Sequence, residues 1–358
     1  MALRGPVTRK MVAEEAGVSV TIVSYVINNN RYVNKEKRER VLDAIKKLGY
    51  RPNAIAKTLK SKRSHHILFV ADQIANEHFG KLIFEMDSLL SNKGYLISLA
   101  QSRNNDEFIQ NIISRQIDGV IISSFSMREQ HVHEIAAAGI PVVLFMNRSY
   151  ASLPENVGEV YTGLYNGARN CVKYLYDTGC RNILYVDRMS GHGYFSDLSD
   201  LRLKGYIDEM ANLDMPFDTT KVITGCINES EVVAKITNYV KSGKPIDALF
   251  ARNDRMAAIA MSAVKQLGLR IPQDISVIGF DNSTLSQYTV PSLTTVEIDR
   301  KGAGEAAVNM LQEMITGCET SPSVELNTTL VLRESTRCIK TKPGTAERNG
   351  FAEGKTTE

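Results

Sequence analysis

From Ile67 onward the chain alternates short, β-branched apolar runs with longer amphipathic stretches, and this alternation constrains the fold more than any other feature of the sequence. The runs fall at 67–71, 95–100, 120–123, 142–146, 183–187, 222–225, 248–251 and 275–280, with glycines at the joins, as at Gly94, Gly119, Gly139, Gly179, Gly243 and Gly268. Continuous apolar runs, as opposed to alternating ones, mark strands buried on both faces. Spaced by helices, they predict doubly wound parallel sheets. Four runs precede about residue 160 and four follow it, so the spacing predicts an α/β body of two lobes. The stretch 294–299 with the helix to Ile315 reads as a return to the first lobe, and 328–333 as a last strand in the second. The lobes are therefore expected at 64–162 with 294–320, and at 163–293 with 323–340.

The first 63 residues differ in kind. They hold 15 Lys+Arg against 5 Asp+Glu and carry +10, whereas the remainder carries −7, and the formal net charge of +3 is the cancellation of the two. A small basic head suits a polyanion, and the mildly acidic body suits another partner. Thr8 is placed to cap a helix through Met11, Val12 and Ala16, which Gly17 ends because glycine accepts the left-handed conformation of a tight turn. Ser19 caps a second helix with Val23, Val26 and Ile27 inward. A third runs from the Asn34 cap to Leu48, with Val41, Leu42, Ile45 and Leu48 as its apolar stripe and Gly49 as its stop. Two short helices across a three-residue turn make a helix-turn-helix, so residues 6–52 are expected to be an all-α DNA-binding head.

Val7-Thr8, Val12-Ala13-x-x-Ala16-Gly17-Val18-Ser19-x-x-x-Val23-Ser24-x-Val26-Ile27-Asn28, Val33-Asn34, Gly49-Tyr50-x-Pro52-Asn53 and Ala56-x-x-Leu59 follow one another without a gap. The stretch resembles the lactose-repressor family of bacterial transcription regulators. The resemblance implies that Val20 and Thr21 face base edges in the major groove, while Ser19, Ser24 and Asn28 hold phosphates. Two positions depart from the family pattern: Ile22 stands where Thr is common, and Tyr25 where Arg is common. A phenol offers one hydroxyl and a ring that suits a thymine methyl, so the operator is expected to differ where Tyr25 reads it. Residues 53–63 form a hinge, with Asn53 capping a helix too short to be stable alone. The resemblance implies that this hinge lies in the minor groove with Leu59 as an apolar wedge that kinks the duplex. Thr8, Asn53 and Ala56 complete the DNA-facing set.

The resemblance extends over the body, whose plan is that of a periplasmic-binding-protein-like sensor with a cleft between the lobes. Ligands of open α/β sheets lie beyond the carboxyl ends of strands. The residues so placed are His78 and Phe79 in Asn76-Glu77-His78-Phe79, Ser123, Asn147 and Arg148, Asn253, and Asp281, and Arg202 joins them where Arg202-x-x-Gly205-Tyr206 opens a second-lobe helix. Family members commonly carry Asn-Pro-Phe-Phe where this chain has Glu77 and His78, and Asp where it has Asn147. Hydroxyl-binding Asp and Asn, planar Arg forks and an aromatic face suit a polyhydroxylated effector.

Several classes are disfavoured. No apolar run reaches the roughly 18 residues that span a bilayer, and the N-terminus lacks an apolar signal region, so a cytoplasmic protein with no membrane partner is expected. Five scattered Cys, none at Cys-x-x-Cys spacing, propose neither disulfides nor zinc, and His131 and His133 lie two apart. No phosphate loop, Gly-x-Ser-x-Gly elbow or His-Glu-x-x-His is present, and Gly191-His192-Gly193 reads as a cleft loop, so no enzyme, metal or cofactor is expected. Residues 341–358 read as a disordered tail. The expected protein is a homodimeric repressor of a carbohydrate-use operon, binding a pseudo-palindromic operator under control of a small sugar-like effector. A non-sugar ligand, a partner protein, and a sugar transport protein stay open as alternatives.

Overall fold

The computed structural model describes residues 7–51, 63–215, 217–318 and 323–339. They fall into two compact units that divide after Ser64. The hinge residues Asn53, Ala56 and Leu59 and the tail lie outside the described residues.

The head has three helices, α1 (Arg9–Ala16), α2 (Val20–Asn28) and α3 (Lys35–Leu48). Each starts at its expected cap: Thr8 accepts from Met11 N at 3.4 Å, Ser19 from Ile22 N at 3.3 Å and Asn34 from Glu36 N at 2.9 Å. Gly17 and Gly49 end α1 and α3 at φ 62° and 63°. Val12, Ala13, Ala16, Val23, Val26, Val41, Ala44 and Tyr50 form the core. One expectation fails in α3, where Leu42 is 49% exposed. The inward row is Val41, Ala44, Ile45 and Leu48, at i, i+3, i+4 and i+7, and Leu42 sits one residue, about 100°, off that row.

The body's first lobe is a parallel six-stranded sheet, in the order β11-β5-β4-β3-β1-β2. Its strands are β1 (His66–Ala71), β2 (Leu96–Gln101), β3 (Gly119–Ser123), β4 (Val142–Phe145), β5 (Val157–Tyr161) and β11 (Ser323–Glu325). Helices α4 (Glu77–Asn92) and α12 (Arg300–Thr316) cover one face, and α5 (Asp106–Ile113) and α6 (Glu129–Ala137) the other. The second lobe has the parallel order β7-β6-β8-β9, with β6 (Ile183–Val186), β7 (Val222–Ile223), β8 (Ala248–Ala251) and β9 (Ser276–Ile278). It lies between α7 (Leu164–Asp177) with α8 (Leu201–Asn212), and α9 (Glu229–Lys241) with α10 (Asp254–Gln266). The short α11 (Thr284–Tyr288) follows β9, and β10 (Thr295–Ile298) pairs antiparallel with β12 (Thr328–Val331).

The return segments divide differently from expectation. Val296 and Ile298 of β10 pack in the second-lobe core, and a parallel bridge joins Thr294 to Ile278 of β9, so only α12 of 294–320 belongs to the first lobe. Conversely Ser323–Glu325, expected in the second lobe, pairs with β5 in the first-lobe sheet. Both strands concerned are weak in sequence: β5 is Val-Gly-Glu-Val-Tyr and β11 only three residues. Gly158 of β5 is required by packing, since a Cβ there would collide with the Met310 side chain of α12.

Candidate functional site

On the head, the side of α2 away from the core carries Val20, 45% exposed, with Thr21 and Asn28 exposed and Ser24 and Tyr25 half-buried. Asn28 Nδ2 donates to Ser24 Oγ at 3.2 Å, so these two candidate phosphate ligands sit side by side at i, i+4. Thr8 and Ser19 are occupied as caps by their oxygens and stand exposed beside this face. Ile22 turns the other way and packs against the core, which explains why an aliphatic residue is accommodated there.

In the body, a cleft of about 770 Å³ opens between the lobes, within the range of small-molecule sites. Of the residues singled out from sequence, His78, Phe79, Ser123, Asn147, Arg202, Asn253 and Asp281 line it. Arg148 does not. Its Nη1 donates to the Phe125 carbonyl at 3.0 Å and its guanidinium stacks on the Phe125 and Tyr150 rings, so it buttresses the wall from behind. Asn253 caps α10 through Oδ1, which accepts from Met256 N at 2.9 Å, and only its Nδ2 is left for a ligand. Arg202 Nη2 donates to Asp281 Oδ1 at 3.1 Å, a buried pair within the second lobe. Asp281 sits at φ 99°, where its amide donates to Val296 and its carbonyl accepts from Arg300.

The same rule, carboxyl ends of strands, also reaches residues that sequence reading passed over. Asp72 follows β1 and receives Ser124 Oγ, Phe125 N and Ser126 Oγ at 2.5, 2.7 and 2.7 Å. Arg188 lies just beyond β6 and Arg252 directly follows β8. Both pair with Asp200, which is fully buried and also caps α8 by accepting from Arg202 N and Leu203 N. Burial works against the Asp200 charge, but Arg252 and Arg188 overcome it and hold the carboxyl at about 2. The Phe125 ring carries Arg188 at 4.0 Å and Arg252 at 5.9 Å, so second-lobe cations stack on a first-lobe aromatic face.

Two further groups depart from their ordinary ionisation. Burial, aided by the Asp281 charge, pushes the Asp254 carboxyl up to about 7, although it accepts from Thr295 and Ser283. Burial together with Arg300 and Arg202 pushes His78 down to about 4 against the pull of Asp281, so the imidazole is neutral. Its Nδ1 has no hydrogen-bond partner among the described residues, and the same holds for the Nε atoms of Arg188, Arg202 and Arg300. All four residues line the cleft. Unpaired buried donors and acceptors are costly, and a ligand is one means of satisfying them.

The lobes also touch directly across the mouth. Glu77 at the start of α4 accepts from Thr284 N at 2.9 Å and from Thr284 Oγ1 at 2.7 Å. Asn104 Nδ2 donates to Tyr194 OH at 3.3 Å. No group of residues fit to hold a metal occurs among the described residues, and no described helix is long and apolar enough to cross a membrane.

A basic three-helix head and a two-lobed body with a polar interlobe cleft define a ligand-sensing DNA-binding regulator. The pattern of the bacterial regulatory proteins of the lacI family matches residues 9–53, and that of the periplasmic binding protein-like domain matches residues 172–336. The HTH-type transcriptional repressor PurR of Histophilus somni is 30% identical over 339 residues, spanning 93% of this chain and 99% of that protein. Catabolite control protein A of Priestia megaterium is 29% identical over 91% of this chain and 98% of its own length. Among solved structures, the lac repressor dimer bound to operator and the anti-inducer ONPF superposes with a TM-score of 0.79 at 25% identity, covering 93% of this chain and all of that one. The cellobiose complex of the regulator CelR gives 0.66 at 28% identity, over 92% and 99%. The chain belongs to the lacI family and is a DNA-binding transcriptional repressor.

Proposed function

We propose that this repressor controls a carbohydrate-use operon and that its effector is a neutral, polyhydroxylated small molecule of the sugar class. One observation carries the reading: the cleft is rich in charge yet compensated. Arg188 faces Asp72 at 3.7 Å and shares Asp200 with Arg252, Arg202 faces Asp281 at 3.1 Å, Arg255 faces Glu229 at 2.8 Å and Arg300 faces Glu297 at 2.6 Å, five guanidiniums against five carboxylates. Among the described residues each of these guanidinium charges has a carboxylate partner, whereas the cleft serines, Asn147, the His78 Nδ1 and the Phe79 face remain for hydroxyls and a sugar ring. Cellobiose in CelR supports the same class.

The protein acts in the cytoplasm as a homodimer on a pseudo-palindromic site, with Ser19, Val20, Thr21, Ser24, Tyr25 and Asn28 as the operator face. Support for the dimer comes from apolar surface: Phe84 on α4 and Leu96 on the edge strand β2 are each 72% exposed, and Tyr288 and Val290 are 76% and 75% exposed. The effector shifts operator affinity only as far as it distinguishes two lobe arrangements. A thermal-shift panel of neutral mono- and disaccharides, sugar phosphates and nucleosides tests the reading. Neutral sugars are expected to raise the melting temperature of the body and change operator affinity, and stabilisation by phosphates or nucleosides alone would refute the neutral-sugar assignment.

A further inference from the structure

The turn after α2 was not part of the operator face described above, yet it places a cation on that face. Asn29 adopts the left-handed conformation at φ 50°, which turns the chain back at the end of α2. Arg38 of α3 donates to Asn29 Oδ1 at 2.5 Å, so the turn is tied to the third helix. Held this way, Arg31 lies over the Tyr25 ring, its guanidinium carbon 5.3 Å from the centroid, and its Nη1 donates to the Tyr25 hydroxyl at 3.4 Å. Arg31 itself is exposed and forms no ion pair among the described residues.

We propose that Arg31 is a specificity-determining residue of this repressor and that Tyr25 and Arg31 read one base pair as a single unit. A phenol both donates and accepts, and alone it does not discriminate between base edges on hydrogen-bond polarity. With Arg31 donating to the hydroxyl oxygen, the hydroxyl hydrogen is what remains for the DNA. The guanidinium charge beside it favours an electron-rich edge and repels an exocyclic amine. The pair therefore selects a base that presents acceptors without a donor in the major groove: thymine first, since its O4 takes the hydroxyl and its methyl meets the ring, then guanine through O6 and N7. Cytosine and adenine present an amine there, so within a pair the unit faces the thymine or guanine and thereby fixes the orientation of that pair. The inference rests on the reading that α2 enters the major groove.

The full-length protein is put through site selection from random duplexes, alongside Tyr25→Phe, Arg31→Ala and the double variant that combines them. The wild type is expected to enrich a symmetric site with thymine or guanine at one position that both Tyr25→Phe and Arg31→Ala flatten. At that position Arg31→Ala should lower the preference at least tenfold, with the double variant no worse than either single one. A simple phosphate contact by Arg31 predicts something else, uniform weakening over all sequences with a smaller salt slope and an unaltered profile. That outcome overturns the proposal, as do additive effects of the two substitutions. Circular dichroism of each variant checks that the helices are intact. If the wild type enriches no symmetric site at all, the operator reading itself fails, which is distinct from a profile insensitive to Arg31.

Discussion

The exposed side of α2 proposed as the operator face and the interlobe cleft proposed as the effector site are both polar surfaces, built in opposite ways. On α2 the groups are exposed or half-buried and are organised by two neighbourly contacts, Asn28 with Ser24 and Arg31 with Tyr25. In the cleft almost every polar group is already engaged with protein, and Asp200, Arg202, Arg252, Asp254 and Asp281 are buried. The first surface gains its energy from the partner and from counterion release, so salt weakens it. The second is pre-organised, and substitutions there act on stability as well as on binding. The comparison makes graded predictions.

The largest effect is expected at Asp200. Its loss leaves the buried Arg188 and Arg252 without their shared carboxylate and uncaps α8, so Asp200→Ala should destabilise the body by about 3–5 kcal/mol in chemical denaturation. A loss below about 1 kcal/mol would mean that the cluster is not the rigid frame described.

Next comes a pair of opposed titrations. Asp254, raised to about 7, favours the folded state when protonated, and this contribution is lost as pH rises from about 4 to 7. His78, lowered to about 4, is neutral in the folded state, and its contribution is lost as pH falls from about 6.5 to 4. Over the shared window the fold takes up one proton at Asp254 and releases one at His78, so the two slopes largely cancel. Removing either partner exposes the other: His78→Gln should make stability fall with rising pH, and Asp254→Asn should make it rise, each by about 1 kcal/mol per pH unit. Parallel profiles in wild type and both variants would show that these groups keep ordinary ionisation.

Asp281 tests the cleft as a receptor. Asp281→Asn keeps the shape but withdraws the charge that pairs with Arg202, and the concentration of the proposed effector needed for response should rise about 100-fold, equivalent to ~2.7 kcal/mol. Response at unchanged sugar concentration would place the effector elsewhere.

How much of this was legible in sequence follows from the same contrast. Runs such as 120–123 and 248–251 are buried on both faces and declare themselves, and so do caps such as Ser19 and Asn34, whose chemistry is local. Leu42 escaped because a single helical position turns a residue about 100°, and β5 and β11 because Gly158 is set by the Met310 side chain more than 150 residues away. In the cleft, position after a strand located Asp281 and the opening of α8 located Arg202, yet position alone could not tell Arg148, turned behind the wall, from Arg188 and Arg252, turned into it. The pairing of Arg188 and Arg252 on Asp200 is long-range and has no spacing to betray it.

The smallest effect sharpens the comparison at its boundary, because Glu77 lies on the cleft but is exposed like the groups of α2. Its carboxylate joins α4 of the first lobe to Thr284 of the second. Burial disfavours its charge, yet Lys81 at 2.8 Å and the two Thr284 donors hold it at about 2, so the clasp stays ionised across the physiological range and will not respond to pH there. Its carboxylate is 36% exposed, so solvent screening limits the contact to about 1 kcal/mol or less. If the clasp favours the arrangement in which the lobes are drawn together on a ligand, Glu77→Ala should raise the concentration of the proposed effector for half response by about threefold to fivefold. Thr284→Val should do the same, and the double variant should add nothing further. Full additivity of the two substitutions in such a cycle would show that they act separately and that Glu77 and Thr284 form no clasp between the lobes.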